Sequence, residues 1–221
     1  MMTRAVIFDM DGVICHTNPT HADAFRKFFT KYGIEANEAD FKAHMYGKNN
    51  SYIMSHFFGR EIMGEELHAL EFEKESLFRE TYQPIMEPVK GYMDFLFKLK
   101  NDGFKTAIAT SAPYANLDLI STGLNLNRMM DSFMSSEDVT AHKPDPEVYL
   151  KTAANLNVQA ENCIVFEDSY SGALAGLNAG MKVVAVLTSH SREELPKCHF
   201  YIKDFTEISM DQVHDLLSEH P

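Results

Sequence analysis

Asp9 and Asp11 stand two residues apart in "AVIFDMDGV", directly after the apolar run Ala5 to Phe8. Carboxylates this close repel each other unless something compensates, and a bound cation is the natural compensator. Residues i and i+2 of an extended segment face the same way, so one ligand can touch both. Two further apolar runs end in polar groups of the same kind. Thr110 and Ser111 close "AIATS", and Glu167 and Asp168 follow "CIVF". Lys143 lies between them in "AHKPDPEVY". Carboxylates, hydroxyls and one ammonium are the groups that hold a cation and an anion side by side.

The elements that must position these residues can be read from periodicity. Ala5–Phe8 reads as a strand buried on both faces, as in parallel sheets. From about Thr20 the pattern turns helical: Ala24, Phe25, Phe28 and Phe29 fall at helical spacing before Gly33. "NNSYIMSHFFGREI" and "GEELHALEFEKESLFRETY" read as two more helices, the second burying Leu67, Leu70, Leu77 and Phe78. Met54, Phe57, Phe58 and Met63 read as the core of this block. After Gly91 helices and strands alternate: helix to Gly103, strand "KTAIATS", helix "YANLDLISTGL", short strand in "DSFMSSEDV". Then come a helix with Asp145 as N-cap and Pro146 at its first position, the strand "CIVF", and a helix ending at Gly180. The strand "KVVAV", a last strand in "HFYIKDF" and a helix capped by Ser209 complete the series. Repeated β-α units predict an α/β fold, a Rossmann-like parallel sheet with helices on both faces. In such sheets ligands bind beyond the carboxyl ends of the strands. That edge is where Asp9, Asp11, Thr110, Ser111, Glu167 and Asp168 fall. The helical block interrupts the series after its first strand, so we divide the chain into an α/β core (1–15 and 88–221) and an inserted helical cap (16–87).

Composition narrows the class. Lys plus Arg is 20 against 32 for Asp plus Glu, a formal net charge of −12. So acidic a surface argues against nucleic acid or anionic membrane as partner, while a local basic pocket can still hold a small anion. No stretch approaches the roughly 20 apolar residues of a membrane helix, and no signal-peptide pattern is present. Three widely spaced cysteines, Cys15, Cys163 and Cys198, fit reduced thiols in the cytoplasm. The sequence carries no signal for oligomeric state.

The motif set resembles the haloacid dehalogenase superfamily, in its phosphotransferase branch, over nearly the whole chain. The residues that carry the resemblance are Asp9-Met10-Asp11-Gly12, Thr110 after its strand, Lys143 ahead of "PDP", and Glu167-Asp168 after theirs. The helical insert is similar to the cap of the β-phosphoglucomutase-like subfamily. The resemblance implies a Mg²⁺-dependent phosphohydrolase acting on a small phosphorylated metabolite through an aspartyl phosphate. Asp9 is then the nucleophile. Asp11 protonates the leaving oxygen and later deprotonates water. Asp9, Asp168, the backbone carbonyl of Asp11 and, directly or through water, Glu167 hold the metal, a hard cation suited to oxygen ligands. Lys143 adds positive charge, and Thr110 and Ser111 hold phosphoryl oxygens.

Within the cap the resemblance points to His21 beside Asp11, and to Gly47 and Lys48 in "YGKNNS" as substrate contacts. Phe25 reads as cap core. His16 departs from the aspartate that many relatives carry there. The alternative function is a hexose-phosphate mutase of the β-phosphoglucomutase type, which needs a site for a second phosphate. That subfamily builds it from a basic cap residue and a Ser-Lys-Asn run, where this chain has Asn49-Asn50 and Ala112-Pro113-Tyr114. The phosphatase reading is therefore preferred. A dehalogenase lacks the second aspartate, and a non-catalytic module is expected to lose Asp9, Lys143 or Asp168, all of which are kept. Substrate identity is set by cap side chains.

Overall fold

In a computed structural model, which describes residues 3–45 and 48–218, six parallel strands form one sheet. They are β1 (Ala5–Phe8), β2 (Lys105–Ala109), β3 (Ser132–Met134), β4 (Cys163–Glu167), β5 (Lys182–Val186) and β6 (Phe200–Ile202). The order is β3-β2-β1-β4-β5-β6, so the chain's progression across the sheet reverses between β1 and β4 while all strands stay parallel. Such a reversal opens a crevice at the carboxyl edge. β1 pairs with β2 on one side and β4 on the other, with Phe8 opposite Ile108 and Phe166. The three strands that carry the motif residues are therefore adjacent.

Alternation along these strands feeds two cores. Val6, Phe8, Ile108, Ile164 and Phe166 join one; Ala5, Ile7, Ala107, Cys163 and Val165 join the other. The first is covered by α5 (Tyr92–Asn101), α6 (Tyr114–Gly123) and α9 (Met210–Ser218), the second by α7 (Glu147–Leu156) and α8 (Tyr170–Asn178). Phe8 packs edge-on to Tyr92 and stacks on Phe166, each at 5.2 Å between ring centres. Pairs of this kind contribute about 0.5–1.5 kcal/mol each beyond area burial, and here they brace the strand ends that lead to the site.

The segment between β1 and α5 contains α1 (Asn18–Lys31), α2 (Glu38–His44), α3 (Asn50–Phe58) and α4 (Gly64–Tyr82) around a third core of Phe25, Phe28, Phe29, Phe41, Met54 and their neighbours. Its entry and exit run side by side, with Val89 N–H donating to the Ile14 carbonyl at 2.8 Å. Among the described residues no helix is long and apolar enough to cross a membrane.

Four local expectations change. The short helix α2 was not anticipated; Asn37 and Asp40 cap it reciprocally. Helix α3 stops at Gly59, whose φ of 65° is the left-handed conformation that ends helices, so "REI" lies outside it. Met63 is 61% exposed rather than core, because it sits in extended backbone at the N-cap of α4, off the helix's buried face. Helix α7 begins at Glu147, one residue late, although Asp145 Oδ1 still accepts the Glu147 N–H at 2.9 Å.

Candidate active site

Asp9 extends β1 by one residue, its N–H donating to the Phe166 carbonyl at 3.0 Å. The chain then turns sharply at Gly12, φ 78°. A Cβ there would lie 1.9 Å from Asp168 Oδ2, so glycine serves both the turn and the approach of that carboxylate. Gly172, in the first turn of α8, makes the same allowance for Glu167, whose Oε1 would lie 1.7 Å from an added Cβ. Two glycines thus open the space in which two acidic side chains are buried.

Lys143 is the hub. Its Nζ donates to Asp9 Oδ1 (2.6 Å), Glu167 Oε1 (2.7 Å) and the Ala109 carbonyl (3.2 Å), which accounts for all three protons. Burial alone would discharge this ammonium, but Asp9 and Glu167 overcome that and hold it well above the usual lysine range. Glu167 Oε1 also accepts from Tyr149, and its Oε2 accepts from the amides of Asp168 and Ser169 and the Ser169 hydroxyl. These donors and Lys143 keep Glu167 ionised despite burial. Thr110 is 1% exposed at the end of β2. Its hydroxyl accepts the Ala112 N–H at 3.0 Å, shaping the loop after the strand, and Ser111 follows in the cleft wall.

Asp9, Glu167 and Asp168 each present a carboxylate oxygen within 4.8 Å of the others. Burial, followed by the neighbouring acids, pushes the Asp168 carboxyl up to about 8, although Asn18 Nδ2 (3.0 Å) and the Ser189 hydroxyl donate to it. Asp9 is raised too, chiefly by burial, even with Lys143 bonded to it. Two buried acids whose ionised forms are this disfavoured, and which offer only hard oxygen donors, fit a divalent cation. Such an ion would remove the penalty.

Asp11 behaves oppositely. Burial would raise it, but His21 and Thr17 outweigh that and keep its carboxyl low. Thr17 Oγ1 donates to Asp11 Oδ1 at 2.6 Å, and His21 Nε2 lies 3.3 Å from the same oxygen. The ring of His21 stacks on Phe78 at 3.7 Å, and its Nδ1 receives a bond from Lys74 Nζ at 2.8 Å. An ammonium has only donors, so Nδ1 accepts and the ring proton faces Asp11 from Nε2. Lys74 in turn donates to Glu75 Oε1 at 2.8 Å and lies 4.0 Å from the centre of the Phe25 ring.

The motif residues and the insert line one common cleft, the concave kind of site that small metabolites occupy. Asp9, Asp11, Thr110, Ser111, Lys143, Glu167 and Asp168 all reach it. From the insert come His21, Phe25 and Lys48. Gly47 lies outside the described residues. His16 is exposed and is not part of the cleft lining. Of the run Ala112-Pro113-Tyr114, Pro113 lines the cleft and Tyr114 is 60% exposed.

Sequence reading missed Thr17, Asn18, Tyr149, Ser189 and, above all, Lys74 and Glu75. A signal for the last two was present. Leu70, Lys74, Phe78 and Tyr82 recur every four residues and form the buried row of α4, so a lysine there needs a buried partner.

The haloacid dehalogenase-like hydrolase family matches residues 6–186. The chain is 34% identical to a phosphorylated carbohydrates phosphatase of Thermotoga maritima over 81% of its length and 82% of that protein. A family IA variant 3 hydrolase of Entamoeba histolytica superposes with a TM-score of 0.90 at 27% identity, covering 98% of this chain and 100% of that one. A β-phosphoglucomutase of Clostridium difficile shares the fold, with a TM-score of 0.87 at 24% identity over 98% of both chains. With the strand-end motifs gathered in one cleft and this match spanning most of the sequence, the chain belongs to the haloacid dehalogenase-like hydrolases.

Proposed function

We propose that the protein is a Mg²⁺-dependent phosphatase of small phosphorylated metabolites, sugar phosphates foremost, working through an aspartyl phosphate on Asp9. The observation that carries this reading is Lys143, bonded at once to Asp9 and Glu167 beside the Asp168 carboxylate. That arrangement sets an ammonium against the Asp9 carboxylate and the Asp168 carboxylate close by, so that a divalent cation bound between them would favour the ionised form of both. The phosphatase name of the Thermotoga maritima relative supports the substrate class.

The Asp9 carboxylate attacks phosphorus, and the bond to the ester oxygen breaks. The departing oxygen takes a proton from Asp11. His21 and Thr17 favour the ionised form of Asp11, and an incoming phosphate dianion opposes them, driving proton uptake before transfer. Ionised again, Asp11 removes a proton from the water that attacks the phosphoryl group; the bond to Asp9 breaks and inorganic phosphate leaves. Lys143, the Thr110 hydroxyl and the Ser111 amide stabilise the phosphoryl oxygens. Asp9, Asp168 and the Asp11 carbonyl would hold Mg²⁺, with Glu167 orienting Lys143 and contributing directly or through water. The ion supplies positive charge that lowers repulsion between the phosphate and Asp9.

Residues 16–87 act as the cap and 1–15 with 88–221 as the core, hinged where Ile14 and Val89 pair. The three cysteines are free and buried, consistent with a cytoplasmic enzyme. Turnover of an aryl phosphate should vanish in excess chelator and return with Mg²⁺. Full activity in chelator would sink the proposal.

A further inference from the structure

The far end of the cleft is built around a buried ion pair that none of the strand-end motifs predicts. Glu75 is 3% exposed and Lys74 1% exposed. Both line the cleft together with Asn50, at the start of α3. Glu75 Oε1 accepts from Lys74 Nζ and Asn50 Nδ2, each at 2.8 Å. Its Oε2 accepts from Asn116 Nδ2 on α6 at 2.6 Å. Asn116 Oδ1 accepts in turn from Arg79 Nη1 at 2.9 Å. The Glu75 carboxylate is thus anchored from the cap on one oxygen and from the core on the other.

Two consequences follow from charge and from lone pairs. Of the cations lining the cleft, Lys143 is committed to Asp9 and Glu167, and Lys74 to Glu75. Among the described residues that leaves Lys48, half-buried 5.7 Å from the centre of the Tyr52 ring, as the remaining lysine there. A second phosphate at this end would meet a fixed carboxylate and a neutralised lysine. A carboxylate accepts at about four lone-pair positions, and three are used here. The one left on Oε2 suits a substrate hydroxyl, as the Asn50 amide edge does.

We infer that Glu75 is a specificity-determining residue that selects monophosphates with an uncharged, hydroxyl-bearing far end and rejects those carrying a second anionic group. The inference rests on the phosphatase reading for the position of the reacting phosphate and deepens it by naming the substrate class. The pair carries no net charge, so a second anion gains no attraction there to offset its lost hydration, and the open carboxylate oxygen adds local repulsion. The pair Lys74–Glu75 thereby does the reverse of what a distal phosphate site requires.

The test is equilibrium binding in Mg²⁺ by calorimetry, using Asp9→Asn so that no ligand is consumed. Glucose 6-phosphate and ribose 5-phosphate are compared with glucose 1,6-bisphosphate and ribose 1,5-bisphosphate. In the Asp9→Asn parent at least one monophosphate should bind about tenfold or more tighter than its bisphosphate. Adding Glu75→Gln should shrink that ratio about fivefold or more, chiefly by tighter bisphosphate binding, and Glu75→Asp should keep it. Equal or tighter bisphosphate binding in the parent overturns the inference. So does a parallel loss of both ligands in Glu75→Gln, which would make the residue a structural tie only, and so does the absence of binding by every ligand. Should Glu75→Gln fail to fold, Asn50→Arg exchanges one amide donor to the same carboxylate for a cation and leaves both members of the pair in place. It should tighten the bisphosphate about fivefold or more, and an unchanged affinity overturns the inference. Phosphate release from an aryl phosphate by the unmodified enzyme is measured in parallel. Its absence rejects the phosphatase reading, whereas its presence with an unmoved binding ratio rejects only the role of Glu75.

Discussion

Among the described residues two lysines are buried, one on each side of the cleft, and their surroundings differ in one respect. Lys143 in the core faces two carboxylates, Asp9 and Glu167. Lys74 in the cap faces one, Glu75, with the His21 ring nitrogen as its other partner. Burial works against the charge of both. Two opposing charges more than offset it and hold Lys143 above the ordinary lysine range, whereas one does not, and Lys74 is held below. The lesson concerns number as much as proximity, since the distances are nearly the same: 2.6 and 2.7 Å against 2.8 Å. The core lysine is locked as a cation, as the proposed chemistry on a phosphate requires. The cap lysine is conditional, its charge dependent on a single neighbour.

The sharpest break of this comparison is on the core side. Asp9→Asn removes the nucleophile and one of the two charges on Lys143, and phosphatase turnover should fall on the order of a thousandfold or more. Asp11→Asn should instead accumulate phosphoryl-Asp9 from a substrate with a good leaving group, detectable by mass spectrometry. Identical behaviour of the two variants would erase the division of labour between them. Next, Lys143→Met should cost about a hundredfold or more in kcat, because it removes charge from the phosphoryl site itself. Lys74→Met should cost about tenfold, since its hydrogen bonds reach Asp11 through His21 and not directly. Equal losses in the two methionine variants would mean that the lysines are equivalent after all.

A separate effect is on stability and reads the cap pair alone. Burial opposes ionisation of Glu75, but Lys74 and the Asn116 amide help to hold its carboxyl at about 2, against an ordinary 4.5. Asp11 and Arg79 lie near the pair and act on Lys74. A carboxyl depressed in the folded state contributes stability that is complete above its unfolded value and is lost as pH falls through the folded one. For Glu75 the window runs from about pH 4.5 down to about 2, and the contribution is about 3 kcal/mol. Urea unfolding of the unmodified protein and Glu75→Gln should therefore show a gap near neutrality that closes across this window. A gap independent of pH would show that the carboxylate charge is not what Lys74 needs.

Much of the site is legible in the sequence because it sits at strand ends. An apolar strand followed by Asp, Thr or Glu-Asp is a local pattern, and parallel packing of the three central strands converts local position into proximity. The cap resists the same reading. His21 could be placed beside Asp11 by resemblance, but Lys74 and Glu75 lie in the middle of a charged helical stretch, "EFEKESLFRE", where most such residues face water. Met63 misleads in the other direction, an apolar residue whose N-cap position puts it outside the packed face.

By itself the sequence determined the α/β class, the order of the strands along the chain, the helical insert after the first of them, and the carboxylates, hydroxyl and lysine that meet at the strand ends. Periodicity and turn chemistry are short-range properties, and these features need nothing longer. Only the tertiary structure decided which helix of the insert faces the cleft, and that Glu75 is bonded from the cap and the core at once through Asn50 and Asn116. It also decided that Lys74 spends its charge on a carboxylate instead of offering it to a ligand. The reason is that burial of a charge is a property of the surroundings. Whether a lysine in a helix meets water, a phosphate or a glutamate depends on residues tens of positions away that chain connectivity does not reveal.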